Sequence, residues 1–265
     1  YKAQELWLEK SRGIIHVPNY QGALAIDTVL LSNYGLTMNN LSTTLNGFES
    51  SSTRSFTINA DKINTTDFTT FMADNIATKY EFANAKRSLD VGLNLNKVQL
   101  NPAMDVVTDN CKLDFKYRTS GVQTATSSGF MSGHCGLSSA KNLMSFNLSG
   151  LINQSPIKLN LAYDYSSELP NIVLDATINT LDISKFMGSA QGNLLPLYSD
   201  DSRLPFDWIS WTNLVANLKV KQLNLSHVNL SNVTATMDVK DQRLNLSQIQ
   251  GQVYDGNFNG SMVLD

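Results

Sequence analysis

The residues best equipped for chemistry are two cysteines, Cys111 and Cys135, and the histidine beside the second, His134. The run Gly133-His134-Cys135-Gly136 could be drawn as a thiol nucleophile with its base. Such a pair needs a third group to orient the imidazole, and none can be named from the sequence. A zinc site needs four ligands, or three and a water. The other histidines, His16 and His227, lie far along the chain from this pair. A disulfide suits the cysteines better. Leu113, Phe115 and Tyr117 alternate after Cys111, and a Ser/Gly-rich arm leads back to Cys135. The pattern is that of a hairpin over 111–135, with its cysteines on adjacent antiparallel strands at bridging separation. Two buried free thiols are the alternative. A bridge closing this loop contributes about 3–4 kcal/mol in the chain-entropy model. It also implies an oxidising compartment such as a periplasm.

Little else could react. The adjacent acids Asp200 and Asp201 stand between Pro196 and Pro205, in a stretch that reads as loop. No GxSxG, P-loop, HExxH, CxxC or dinucleotide fingerprint occurs. Without clustered titratable groups the chain reads as a non-enzyme that needs no cofactor and no metal. The N-x-S/T sequons at Asn64, Asn147, Asn224 and Asn245 follow from composition. The chain holds 28 asparagines, only 16% charged residues, and a net charge of -3. It has no Lys/Arg cluster or stripe that would mark a nucleic-acid partner. No apolar run approaches the length of a membrane-spanning helix.

The elements that hold these residues are strands. Leu24, Ile26, Thr28 and Leu30 alternate, as do Phe56, Ile58 and Ala60, and Leu89, Val91, Leu93 and Leu95. Ile157, Leu159, Leu161, Tyr163 and Tyr165 form a long clean alternation, and Ile172, Leu174, Ala176 and Ile178 read as its antiparallel neighbour. Leu214, Ala216, Leu218 and Val220 follow, then Leu223 and Leu225 after a one-step slip. Val228 and Leu230, then Val233, Ala235, Met237 and Val239, continue the pattern. A period of two puts these groups on one face of a sheet and leaves Asn, Ser, Thr, Gln and Lys on the other.

Helical spacing appears over 66–86, where Phe68, Phe71, Met72, Asn75, Ile76 and Tyr80 would form one stripe, with Thr66 or Asp67 as N-cap. Shorter helical turns are expected over 1–10, 182–188 and 206–214. Leu36–Leu45 and Val228–Met237 also echo each other, with Asn40 aligned to Asn232, as though one β unit were used twice.

From about Leu143 onward the chain resembles the AsmA family. Ala176–Gly188 (ATINTLDISKFMG) is similar to that family's strand followed by a Leu-Asp-Ile turn. Leu204–Val233 is similar to its Leu-Pro block with alternating Leu and Val. Leu244–Asp265 is similar to its closing segment, anchored here by Tyr254-Asp255-Gly256, Gly260 and Asp265. Asp255 replaces the family's usual Gly, a mild change because Asp tolerates positive φ.

The resemblance implies a periplasmic body held by an inner-membrane anchor preceding residue 1. It also implies a curved sheet whose concave apolar face carries acyl chains between membranes, as in bridge-type lipid-transfer proteins. The expected fold is therefore mainly β: an elongated, curved antiparallel sheet forming an open taco-like groove or incomplete barrel, with one amphipathic helix. Two continuous regions are expected, 1–142 and 143–265. The groove would be lined by Leu159, Leu161, Ile172, Leu174 and Ile178 on two strands, and by Leu218, Val220, Leu230, Val233 and Met237 on the next two. The expected function is lipid binding or lipid bridging in support of the outer membrane. Phospholipid or another acyl-chain molecule would be the ligand, and envelope proteins are possible partners. The alternative is a dry β-sandwich module that assists outer-membrane protein assembly without lipid.

Overall fold

The computed structural model describes residues 5–17, 20–49, 52–85, 87–101, 105–119, 126–183, 212–225, 228–241 and 243–264. Every regular element among them is a strand. The first nine are β1 (Glu5–Val17), β2 (Tyr20–Ser32), β3 (Gly35–Glu49), β4 (Ser52–Thr65), β5 (Phe71–Asn84), β6 (Arg87–Asn96), β7 (Val98–Leu100), β8 (Val106–Thr119) and β9 (Thr126–Ser138). The remaining seven are β10 (Leu143–Ile152), β11 (Ser155–Asp164), β12 (Asn171–Asp182), β13 (Asn213–Leu225), β14 (Val228–Lys240), β15 (Arg243–Val253) and β16 (Gly256–Leu264). The chain divides into two compact units, Tyr1–Tyr117 with Ser128–Ala140, and Arg118–Ser127 with Lys141–Asp265.

In the first unit the strands lie in the order β1-β2-β3-β4-β5-β6-β8-β9, and short β7 pairs with β5 and β8. In the second they run β10 to β16 in chain order. Neither array closes on itself: the strands at its two ends are not paired to each other. The expected mainly-β, open sheet is what the structure contains. Among the strand pairs whose register is described, one departs from antiparallel geometry. β12 and β13 run parallel, with Leu174 opposite Ala216 and Ile178 opposite Val220. A parallel neighbour requires a crossover, and it replaces the hairpin that simple alternation suggests.

Left-handed residues accompany the slips in alternation. Asn40 in β3, Asn75 in β5 and Asn232 in β14 adopt left-handed backbone, at φ 53°, 51° and 51°. Asn is among the few L-residues that visit this region without a large penalty. Each stands where the ladder skips a rung. Asn39 pairs with Lys62 and Leu41 with Ala60, which leaves Asn40 facing Asp61 unpaired. The Asn40 side chain donates instead to Asp27 Oδ2 at 2.9 Å, and Asn75 to Asp61 Oδ2 at 2.8 Å. Lys10 in β1 has the same conformation at φ 51°. Lys10, Asp27, Asn40, Asp61 and Asn75 thus form one transverse row across β1 to β5. Beyond that row the buried positions shift by one. In β4 Ala60 is followed inward by Ile63, and in β14 Leu230 by Val233. The repeated stretch noted in the sequence carries this kink at its Asn in both copies.

The helix expected over 66–86 is absent, and its place is taken by a turn and β5. The kink at Asn75 explains the misleading period. It sets Ala73 and Ile76 three apart on one side of a strand, and a spacing of three inside a run of twos imitates a helical stripe. The capping chemistry is real but serves the turn. Asp67 Oδ1 accepts the backbone N–H of Thr69 and of Thr70, both at 2.9 Å, and Thr65 Oγ1 accepts that of Phe68 at 2.9 Å. The helical turn expected over 1–10 is also corrected, since Glu5–Lys10 belong to β1. The turns expected over 182–188 and 206–214 lie mostly outside the described residues. Their described ends, Asp182 and Asn213–Leu214, are strand.

Cys111 in β8 and Cys135 in β9 form a disulfide with Cα atoms 5.8 Å apart. Cys111 is fully buried and Cys135 nearly so. The bridge is the mark of a non-reducing compartment. No helix among the described residues is long and apolar enough to cross a membrane.

Candidate apolar groove

The candidate lining residues all fall in the second unit, on four neighbouring strands, and the pairing registers bring them into rows. Leu161 sits opposite Leu174, then Ala216 and Met237 follow across β13 and β14. Leu159 lies opposite Ala176, in line with Leu218 and Ala235. Ile178, Val220 and Val233 form a third row with Ile157. Ile172 lines up with Tyr163 on one side and with Leu214 on the other. Leu230 stands beyond the kink at Asn232, opposite Leu223. The slip in phase returns it to the inward side with the others, and this is why strict alternation alone separates it from Val233.

The face is not uniform in depth. Ile178, Val220 and Val233 are buried, and Val220 keeps only 1% of its surface. Leu159, Leu161, Ile172, Leu174, Leu218, Leu230 and Met237 are half-buried. A second buried cluster lies outside the candidate set. Leu214, Ala216, Val239 and Leu244 form a buried cluster, with Ile172, Leu174 and Met237 against it. These four continue the same alternation, so the signal for them was present. What pattern cannot supply is depth, because period reports which face a side chain leaves and not what covers it.

The opposite face carries amide, hydroxyl and ammonium groups. Asn217 donates to Asp175 Oδ1 at 2.8 Å, Asn213 to Asn171 at 3.1 Å and Thr236 to Asn217 at 3.2 Å. Such cross-strand bonds from amide and hydroxyl donors hold neighbouring strands in register on this solvent side. Nothing in this arrangement supplies a nucleophile with an oriented base. What it can do is bury or solvate apolar matter along one side of a sheet.

Comparison with protein-family models, with curated proteins and with solved structures returns no match.

Proposed function

We propose that this chain is a lipid-binding or lipid-bridging module of the bacterial periplasm, in the manner of the AsmA family that its second half resembles. The observation that carries the reading is the seven half-buried aliphatic side chains spread over β11 to β14 on one face of an unclosed sheet. Fully burying a Leu or Ile side chain is worth about 1.5–3 kcal/mol, so a partly exposed row leaves a fraction of that stabilisation to be gained when something apolar covers it. Acyl chains suit such a surface because they need no directional contact. The disulfide agrees with an oxidising envelope compartment. The inner-membrane anchor and any envelope partner belong to this proposal.

The test is native mass spectrometry after mild extraction, combined with uptake of a fluorescent phospholipid. Co-purifying phospholipid and saturable uptake are expected. Leu174→Asp and Leu218→Asp should abolish uptake while the far-ultraviolet β signal stays unchanged. An absence of both bound lipid and uptake in the native protein removes the reading.

A second reading, a dry module working through surface contacts, is favoured by one observation. Val220, Val239 and Leu244 are almost wholly buried without any ligand. It requires that Leu174→Asp and Leu218→Asp unfold the protein as readily as Val220→Asp does.

A further inference from the structure

The polar side of the same strands holds a feature the apolar reading does not use. Ser149, Lys158, Thr177, Lys219 and Thr234 form one transverse row across β10 to β14. Lys221 stands two residues beyond Lys219, and so on the same face. Lys158, Lys219 and Lys221 are exposed, while Ile157 and Val220 beside them in sequence are buried. The three ammonium-bearing side chains therefore leave the wet face. They border a concavity of about 720 Å³ that includes Thr177, Asn179 and Asn232 and also touches Ile157, Ile178, Val220 and Val233. No carboxylate lines it.

Adjacent strands lie about 4.8 Å apart, which puts the backbone of Lys158 and of Lys219 roughly 10 Å apart with Thr177 between them. Four-carbon stems let all three ammonium groups lean over that hydroxyl. Among the described residues no ion pair engages any of them. Asp175, two residues before Thr177 on the same face, already accepts a hydrogen bond from Asn217 at 2.8 Å. In a chain of net charge -3, three cations that are unpaired among the described residues, bordering one hollow with exposed hydroxyl and amide donors, concentrate positive potential at a single place.

We propose that this hollow is an anion site that takes a phosphate group, with Lys158, Lys219 and Lys221 as its cationic arms and Thr177 and Asn232 as neutral donors. The oxygens of a phosphate accept several such bonds at once, and charge-assisted bonds of this kind are the strong ones. The cationic arms leave the face opposite the candidate lining residues, while the hollow they border also touches Ile178, Val220 and Val233 of that set. The phosphate could be free or could belong to a lipid headgroup at a membrane surface.

The experiment is a titration of the intact protein with inorganic phosphate at low ionic strength, followed by backbone amide shifts. Saturable shifts confined to β11 to β14 are expected, weakened at least tenfold in the Lys158→Gln/Lys219→Gln/Lys221→Gln variant and unchanged in Lys62→Gln. Sedimentation with vesicles of phosphatidylglycerol, against vesicles of phosphatidylcholine, distinguishes the sources. Pelleting with the anionic vesicles alone, lost in the triple variant, assigns the site to a headgroup, and phosphate binding without pelleting assigns it to a soluble phosphate. The proposal is overturned by absence of saturable shifts, by equal response to chloride, or by equal weakening in Lys62→Gln. The thermal transition of the triple variant must match that of the parent, and Lys219→Arg must retain binding.

Discussion

The side-chain amide of Asn40 reaches across to Asp27 and donates to its Oδ2 at 2.9 Å, while the Asn40 backbone holds φ at 53° in the middle of a strand. Two separate contributions meet at that residue, and substitution can part them. Asn40→Ala loses the bond and puts in left-handed backbone a residue without the short polar side chain that lets Asn visit it, which costs about 1–2 kcal/mol. Asn40→Gly loses the same bond but tolerates the backbone. Denaturant midpoints should therefore fall clearly for the alanine variant and only slightly for the glycine one. Equal losses would show that the bond to Asp27, and not the backbone, is what the Asn provides.

Asp67 should govern part of the acid sensitivity of the β4–β5 turn. Its carboxylate accepts the N–H of Thr70 and of Thr69 and a bond from Thr65, and these hold it well below the usual carboxylate range. A carboxyl whose folded pKa is depressed stabilises the fold above its unfolded value, near 3.8, and loses that contribution as pH falls through the folded value. Carbon-detected titration of the Asp67 carboxyl should show a midpoint far below that of a free Asp. Asp67→Asn should lower stability at neutral pH and flatten the acid limb of the stability curve. A normal midpoint would refute the turn geometry.

The disulfide should be complete in protein taken from an oxidising compartment. Thiol counting in denaturant without reductant should find no reactive thiol among the two cysteines. Cys111→Ser/Cys135→Ser should destabilise the first unit by about 3–4 kcal/mol.

Glycines in this sheet are not interchangeable. A Cβ at Gly22 would lie 2.0 Å from the carbonyl oxygen of Thr44, a backbone atom that cannot move without disturbing the β2–β3 ladder. A Cβ at Gly260 would meet nothing within 4 Å. Gly→Ala normally gains about 0.4–1 kcal/mol by restricting the unfolded chain. At Gly260 that gain should appear as a small rise in melting temperature. At Gly22 the collision outweighs it, with an expected loss of about 1–3 kcal/mol.

Much of this architecture was legible from period alone. The facing of Leu161 and Leu174, the pairing of Cys111 with Cys135 and the apolar side of β13 and β14 all follow from alternation and hairpin spacing. The failures have separate origins. Alternation assumes that every residue of a strand is extended, and the left-handed Asn75 breaks that assumption. A strand therefore passed for a helix over 66–86. The parallel β12–β13 pair was hidden for another reason, because direction of pairing leaves no mark on side-chain period. Depth of burial at Val220 compared with Leu218, two positions apart with the same sidedness, was equally beyond reach, since it depends on what lies over the sheet.

The parallel step between β12 and β13 also divides the second unit in time. The other described ladders of that unit join neighbours in sequence through short connections, so β10 to β12 and β13 to β16 can each zip from local hairpins. Every rung between β12 and β13 instead spans 42 residues, as from Asn171 to Asn213. Closing so long a loop costs entropy before the first contact forms, and non-local pairings of this kind are the slow events in sheet formation. The seam that completes the apolar face, where Leu174 meets Ala216 and Ile178 meets Val220, is thus the last part of that face expected to assemble and the first place where an unfinished chain presents it to its surroundings.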